Sequence, residues 1–389
     1  MTNPSSRRTV IFAGGGTGGH LFPGIAVAQE LLRRDTTTRI LFVGSEKPIE
    51  REILQRAGFE HLALPSVSPS LTPSRFLPSL INNWRAYRQA RQFLVQERPS
   101  VVVGLGGFAC GPPVLAARRG GVPIVLLEQN IVPGKAIRWL SRFADVVCLP
   151  WEEAAHGLST TTKTIVTGNP IRQEIAMLGN EQRCRTGTLA RRLNFDGQEC
   201  PSYKSTLLIL GGSQGATTLN EFVLNAIERL QGSQSPLAGW HIVHQTGAAD
   251  LDAIRGRYVA LNLRADVRPF LSDMAEQYRL AECVISRAGA TTLAELSCAG
   301  LPAILVPLPT SAHDHQRLNA KLFSDRNAAV LVEQQTDSDS GVDELCNQLG
   351  SLLNDEGRRQ QLCDGMTRFA KPDAASAVAD AIEKIERTR

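Results

Sequence analysis

The stretch Thr9–Leu32 reads TVIFAGGGTGGHLFPGIAVAQELL, and its pattern decides the fold. Thr9 to Ala13 is a short β-branched and aromatic run, and Gly14 to Gly19 is a glycine-rich turn. From near His20 the apolar residues recur at helical spacing. A strand, a glycine turn and a helix in that order open a nucleotide-binding α/β domain. The same opening recurs halfway along, where Thr206–Leu210 (TLLIL) runs into GGSQGATTLNEFVLNAIERL. A chain of 389 residues has room for two such domains, each with its own core.

Further runs of strand length follow each opening. They are Arg39–Val43, Val101–Val103, Ile124–Leu127 and Val146–Leu149 in the first half. In the second half they are His241–His244, Cys283–Ser286, Ala303–Val306 and Ala329–Val332. Strands alternating with helical patterns imply parallel sheets with right-handed crossovers. The expected class is therefore α/β, with two doubly wound, Rossmann-like domains facing one another. The expected boundaries are 1–172 for the first domain, 173–204 for a linker or insertion, 205–370 for the second domain, and 371–389 for a C-terminal helix that packs back on the first. Gly168-Asn169-Pro170 marks a turn, and Gly179–Lys204 is polar, charged and weakly periodic, as a surface insertion would be.

Composition narrows the functions. The apolar fraction of 42% and charged fraction of 21% are those of an ordinary globular protein. A net charge of +4 and few aromatics argue against nucleic acid as a partner. The eight cysteines contain no C-x-x-C pair and mostly sit in apolar runs, so they read as buried free thiols. No run approaches the roughly 18 apolar residues of a membrane span, and the N-terminus lacks the apolar region of a secretory signal. A cytoplasmic setting is expected.

The candidate residues gather after strands. The Gly14–Gly19 turn leads into a helix start, where free amides attract phosphate, but it matches neither a P-loop nor a clean dinucleotide fingerprint. His20 stands where a neutral imidazole can take a proton from an attacking hydroxyl; capping the helix is its plainer use. GLGGFACGPP (104–113) follows another strand, and Glu128, Gln129 and Asn130 end the next. Three polar residues closing an apolar run either line a cleft or close turns in the core. In SRAGATTLAE (286–295) a strand ends at Ser286, Gly289 permits a turn, and Ala290, Thr291 and Thr292 start a helix suited to a diphosphate. Glu295, about one turn further in, is placed to accept hydrogen bonds from a ribose diol.

Asp337-Ser338-Asp339 reads as a helix-capping turn and His313-Asp314-His315 as nucleotide contact or surface, so no metal and no cofactor is expected. Leu77, Leu80, Ile81 and Trp84 recur at helical spacing beside Arg85, Arg88 and Arg91. Such a helix either docks on anionic lipid or turns its apolar face to the core.

GGGTGGH, GLGGFACGP, LEQN, GNPIR, GGSQGA, HQTG, SRAGATTLAE and DHQRLNA occur in an order and spacing that resembles the MurG family across about Thr9 to Ala370. These are the bacterial undecaprenyldiphospho-muramoylpentapeptide N-acetylglucosaminyltransferases. The resemblance implies a GT-B fold with the active site in a cleft between the domains. It implies inverting transfer of GlcNAc from UDP-GlcNAc to the 4-hydroxyl of MurNAc in lipid I, giving lipid II for peptidoglycan, without a metal. It places the donor against Thr17, Gly18, Gly19, Asn130 and Arg172, and against Ser213, Leu271, Ala290, Thr291, Thr292, Leu293, Ala294, Glu295 and Gln316. Leu271-Ser272 stands where isoleucine-aspartate is frequent. The acceptor diphosphate falls to Gly15, Gly16, Gly106 and Gly107, and the base to His20, with Glu128 as second candidate. The setting implied is the cytoplasmic face of the bacterial inner membrane, bound peripherally through Leu77, Leu80, Ile81, Trp84, Arg85 and Arg88, with cell-wall synthesis proteins as candidate partners. A UDP-GlcNAc 2-epimerase, a glycolipid glycosyltransferase and a non-catalytic nucleotide-sugar-binding protein are the competing readings.

Overall fold

The computed structural model describes residues 8–15, 18–68, 72–179, 205–211, 216–231, 235–311, 314–334 and 339–388. The stretch 180–204 lies outside them, as do Gly16, Thr17, Ser213, His313, Asp337 and Ser338. The chain divides into two compact units, residues 1–172 with 373–389, and residues 173–372.

The first unit is built on β1 (Thr9–Gly14), β2 (Arg39–Ser45), β3 (Glu60–Leu64), β4 (Val101–Gly106), β5 (Ile124–Leu127), β6 (Val146–Leu149) and β7 (Thr164–Val166). They form one parallel sheet in the order β3-β2-β1-β4-β5-β6-β7. Successive side chains on a strand point to opposite faces, and helices cover both. Val10 and Phe12 of β1 join one core with Leu21, Ile25 and Leu31, whereas Ile11 and Ala13 join another with Ala86, Ala90 and Val114.

The second unit repeats the plan with β8 (Ser205–Leu210), β9 (Trp240–Gln245), β10 (Ala265–Arg268), β11 (Cys283–Ser286), β12 (Ala303–Leu305) and β13 (Val330–Leu331). Their order is β10-β9-β8-β11-β12-β13, again parallel. The doubly wound α/β class expected from the sequence is thus observed in both units. Three strands, β3, β7 and β10, had not been expected, and the first helix begins at Gly18 rather than near His20.

This topology locates the places for chemistry. Strand order reverses between β1 and β4 in one sheet and between β8 and β11 in the other. In open parallel sheets, ligands bind beyond the strand C-termini at such a reversal. In the first unit the loops after β1 and β4 stand at that reversal, and in the second unit those after β8 and β11.

The C-terminal helix Ala374–Arg387 belongs to the first unit, where Val378, Ile382 and Ile385 share a core with Leu21, Ile25 and Leu31 of the helix Gly18–Arg34. Glu386 also accepts from Arg8 at 2.6 Å and from the Ser100 hydroxyl at 2.5 Å, at the starts of β1 and β4. The tail therefore braces the helix that carries His20. Among the described residues no helix is long and apolar enough to cross a membrane.

Candidate functional site

In the first unit the loops after β1 and β4 are in close contact. Beneath them lies Glu50, which is 0% exposed. Its carboxylate accepts the Ser45 N–H at 2.8 Å and the Ser45 hydroxyl, at the end of β2. Above it sits Gly15, where a methyl group would stand 2.5 Å from the Glu50 carboxyl carbon. Above that, a Cβ on Gly107 would strike the Gly15 carbonyl oxygen. Next to Gly107, a Cβ on Gly106 would come 3.1 Å from the His20 ring. Carboxylate, Gly15, the Gly106-Gly107 pair and the imidazole thus form one tight stack at the β1/β4 reversal.

Gly107 also has φ +71°, a conformation that favours glycine. Gly107→Ala therefore meets backbone on one side and an unfavourable dihedral on the other. We expect it to destabilise the protein by about 1–3 kcal/mol. Urea unfolding measures this, and a midpoint equal to wild type would show the stack to be looser than drawn.

Glu128 and Gln129 close turns. Glu128 is 4% exposed; its Oε1 accepts the N–H groups of Gln129 and Asn130 at 2.8 Å each, and its Oε2 accepts that of Gly134 at 2.8 Å. Burial raises its pKa, opposed by these three donors. Gln129 donates to the carbonyls of Leu105 and Leu127, joining the ends of β4 and β5. Asn130 is half-buried and donates its side-chain amide to Glu128 at 3.3 Å. Arg172, half-buried, ends the unit just past the GNP turn.

The helix Pro73–Glu97 settles which way its apolar stripe faces. Ala86, Ala90 and Leu94 enter the core, while Leu77, Leu80, Ile81 and Trp84 are 62, 51, 43 and 57% exposed. The core-facing alternative for that stripe is therefore overturned. Arg85 and Arg88 are exposed beside it, with the Arg88 guanidinium 4.9 Å from the Trp84 ring centre.

In the second unit the helix Ala290–Ala299 starts directly after β11. First-turn amides have no carbonyl in their own helix, so Ala290, Thr291 and Thr292 present that turn. Thr291, Thr292 and Ala294 are half-buried. Leu293 differs: its side chain is fully buried and its N–H donates to the Gly289 carbonyl at 2.9 Å. Leu271 is likewise buried, with its N–H donating to the Gln245 side chain. Glu295 is 7% exposed, and the hydroxyl of the fully buried Tyr278 donates to its Oε2 at 2.9 Å. Gln316 accepts the Leu308 N–H at 3.0 Å, tying the loop after β12 to the helix His315–Asp325.

Arg287, immediately after β11, is 8% exposed and donates to the carbonyls of Val306 and Pro307, the Thr218 hydroxyl and Gln334. All four acceptors are neutral. Burial pulls its pKa down to about 10, which leaves it charged at neutral pH. A fixed positive charge thus stands at the β8/β11 reversal.

Glu50, Tyr278 and Arg287 escaped the sequence reading. Glu50 reads as an ordinary first-turn acid and Tyr278 as an isolated core aromatic. Arg287 carried the clearest signal, since an arginine directly after an apolar strand must either leave the core or find several acceptors.

Comparison with known proteins bears on what these two sets of residues do. Models of the glycosyltransferase family 28 N-terminal and C-terminal domains match residues 10–149 and 206–382. A UDP-N-acetylglucosamine–N-acetylmuramyl-(pentapeptide) pyrophosphoryl-undecaprenol N-acetylglucosamine transferase of Trichlorobacter lovleyi is 38% identical, over 95% of this chain and 96% of its own. A protein of the same name from Geobacter sulfurreducens is 35% identical, over 98% and 99%. Among solved structures, Acinetobacter baumannii MurG matches with a TM-score of 0.72 at 28% identity, covering 97% of this chain and 99% of that one. A putative UDP-N-acetylglucosamine 2-epimerase of Listeria monocytogenes matches at 0.67 with 14% identity, over 99% of this chain and 98% of its own, which is a likeness of fold alone. With relatives of that identity matched over nearly its whole length, the chain belongs to the MurG family of family 28 glycosyltransferases.

Proposed function

We propose that this protein transfers N-acetylglucosamine from UDP-N-acetylglucosamine to the 4-hydroxyl of the N-acetylmuramyl sugar of lipid I, inverting the anomeric centre and yielding lipid II. The observation that carries this reading is the full-length match to transferases of that name. His20 takes the proton of the acceptor hydroxyl as its oxygen bonds to the anomeric carbon, and UDP departs from the opposite face with its electron pair. The first-turn amides at Ala290–Thr292 and the Arg287 guanidinium face the charge that grows on the departing diphosphate. Glu295, held by Tyr278, accepts from the ribose hydroxyls. Gly18, Gly19, Asn130, Arg172, Leu271, Leu293, Ala294 and Gln316 complete the donor contacts, together with Thr17 and Ser213. Gly15, Gly16, Gly106 and Gly107 receive the acceptor diphosphate, and Glu128 keeps the 128–134 turn in shape beside them.

UDP release measured with and without a lipid I analogue tests the reading. Release that needs the analogue and yields a disaccharide supports it; UDP-GlcNAc epimerised or hydrolysed without the analogue overturns it. Turnover is also expected to survive a chelator, because the leaving charge is met by protein groups.

The acceptor is lipid-linked, and the exposed Leu77, Leu80, Ile81 and Trp84 face gives the first unit a means of reaching a membrane. A second feature shares that face of the sheet. An open groove of about 570 Å³ is lined by Lys135, Arg138, Arg142, His156 and the 44%-exposed Trp139, with no carboxylate among its lining residues. Its helix packs into the same core as the helix Pro73–Glu97. Both features support peripheral docking on an anionic bilayer. Arg85→Glu combined with Arg88→Glu should weaken binding to phosphatidylglycerol vesicles by about 1 kcal/mol per reversed charge or more. Unaltered co-sedimentation would return those arginines to a merely solvating role.

A further inference from the structure

The stack at the β1/β4 reversal rests on Glu50, a residue whose presence the transfer reaction does not by itself explain. Glu50 is fully buried, and the Nε2 of His61 stands 4.0 Å from its carboxylate. Burial lowers the His61 pKa, which favours a neutral imidazole. The geometry around Glu50 gives a reason for its place. Glycines stand on two sides of the carboxylate, and a methyl group on Gly15 or on Gly44 would collide with it. Ser45 supplies both an N–H and a hydroxyl from the end of β2. Carboxylate oxygens accept hydrogen bonds, so the group can meet the Ser45 donors with one edge and bear on Gly15 and Gly44 with the rest.

We propose that Glu50 is a positioning residue for His20: it sets the place of Gly15 against Gly106-Gly107, and through them the place of the imidazole. Each step in that chain is an approach too close to admit a methyl group without displacement, from carboxylate to Gly15, from Gly15 to Gly107, and from Gly106 to the His20 ring. Tightly packed groups transmit displacement rather than absorb it. The inference rests on His20 acting as the base, and a residue that acts through another must lose its effect when that other is gone.

Glu50→Gln is nearly isosteric but turns an NH2 donor toward either the Ser45 donors or the glycine turn. The measurement is kcat and both KM values for wild type, Glu50→Gln, His20→Ala and the double variant, with thermal midpoints for all four. Glu50→Gln is expected to lower kcat by about tenfold or more, as small misplacements of a reacting group do, with donor KM unchanged. In the His20→Ala background the same substitution should lower kcat no further. If Glu50→Gln slows both backgrounds by the same factor, the proposal is overturned while His20 stands as base. If His20→Ala alone turns over like wild type, the base assignment and the proposal fall together. Should Glu50→Gln not fold, Ser45→Ala weakens the same support without touching the carboxyl group. It should show a milder kcat loss that also disappears in the His20→Ala background, and an equal loss in both backgrounds counts against the proposal.

Discussion

His20→Ala is expected to lower kcat by about 10²- to 10⁴-fold while leaving donor affinity close to wild type. The expectation comes from where the residue sits. His20 lies in the first turn of the helix Gly18–Arg34, at the C-terminal edge of β1 and beside the strand reversal. It is half-buried, so its ring is sheltered without being sealed from water. Gly106 leaves the ring room on one side, and the C-terminal helix holds the far end of its helix in place. An imidazole's ordinary pKa lies close enough to neutrality to take a proton and return it within one turnover. His20→Gln separates shape from proton transfer, because glutamine keeps hydrogen-bonding capacity but cannot serve as the base. Single-turnover kinetics with saturating UDP-GlcNAc and a lipid I analogue distinguish chemistry from product release. If both variants keep turnover within about threefold of wild type, the proton goes elsewhere.

How much of this was readable beforehand depended on burial. β1, β4, β8 and β11 are buried runs such as TVIFAG and STLLIL, flanking the two reversals, and they stand out because both faces must be apolar. β3 and β10, at sheet ends, carry EHLAL and ADVR, where partial exposure admits charged residues and breaks the run. β7, the other end of the first sheet, has only three residues. The site divided the same way. Glycine turns and helix starts are local in sequence, so the loops holding Gly15, Gly106 and Ala290–Thr292 could be found from pattern. Contacts between distant segments could not. Glu50 meets Gly15 from 35 positions away, and Tyr278 meets Glu295 from 17. Nothing in either local sequence distinguishes these residues from an ordinary helix acid or core tyrosine. The Glu128–Asn130 run was visible as anomalous polarity, but only the structure shows that Glu128 and Gln129 use it to close turns.

Glu295→Ala is expected to raise the KM for UDP-GlcNAc by about ten- to a hundredfold, the loss typical of a hydrogen bond to a charged group. Glu295 sits in the helix Ala290–Ala299, about one turn beyond the first-turn amides assigned to the diphosphate. A carboxylate can accept both hydroxyls of a ribose diol, and a glutamine in its place can accept one but must donate toward the other. Glu295→Gln should therefore fall between wild type and alanine. The structure adds a complication to reading such data, because Tyr278 donates to the same carboxylate and is fully buried. Alanine leaves that hydroxyl without this acceptor, at a stability cost of about 1–3 kcal/mol that has nothing to do with the donor. Tyr278→Phe resolves the two effects. It removes the hydroxyl and keeps the carboxylate, so it should raise donor KM by only about two- to fivefold, through looser aim of Glu295. Titration calorimetry with UDP alone checks binding directly, free of the chemical step. Donor affinity unchanged in Glu295→Ala would remove the ribose role and leave the Tyr278–Glu295 pair as a brace between the two helices that carry them.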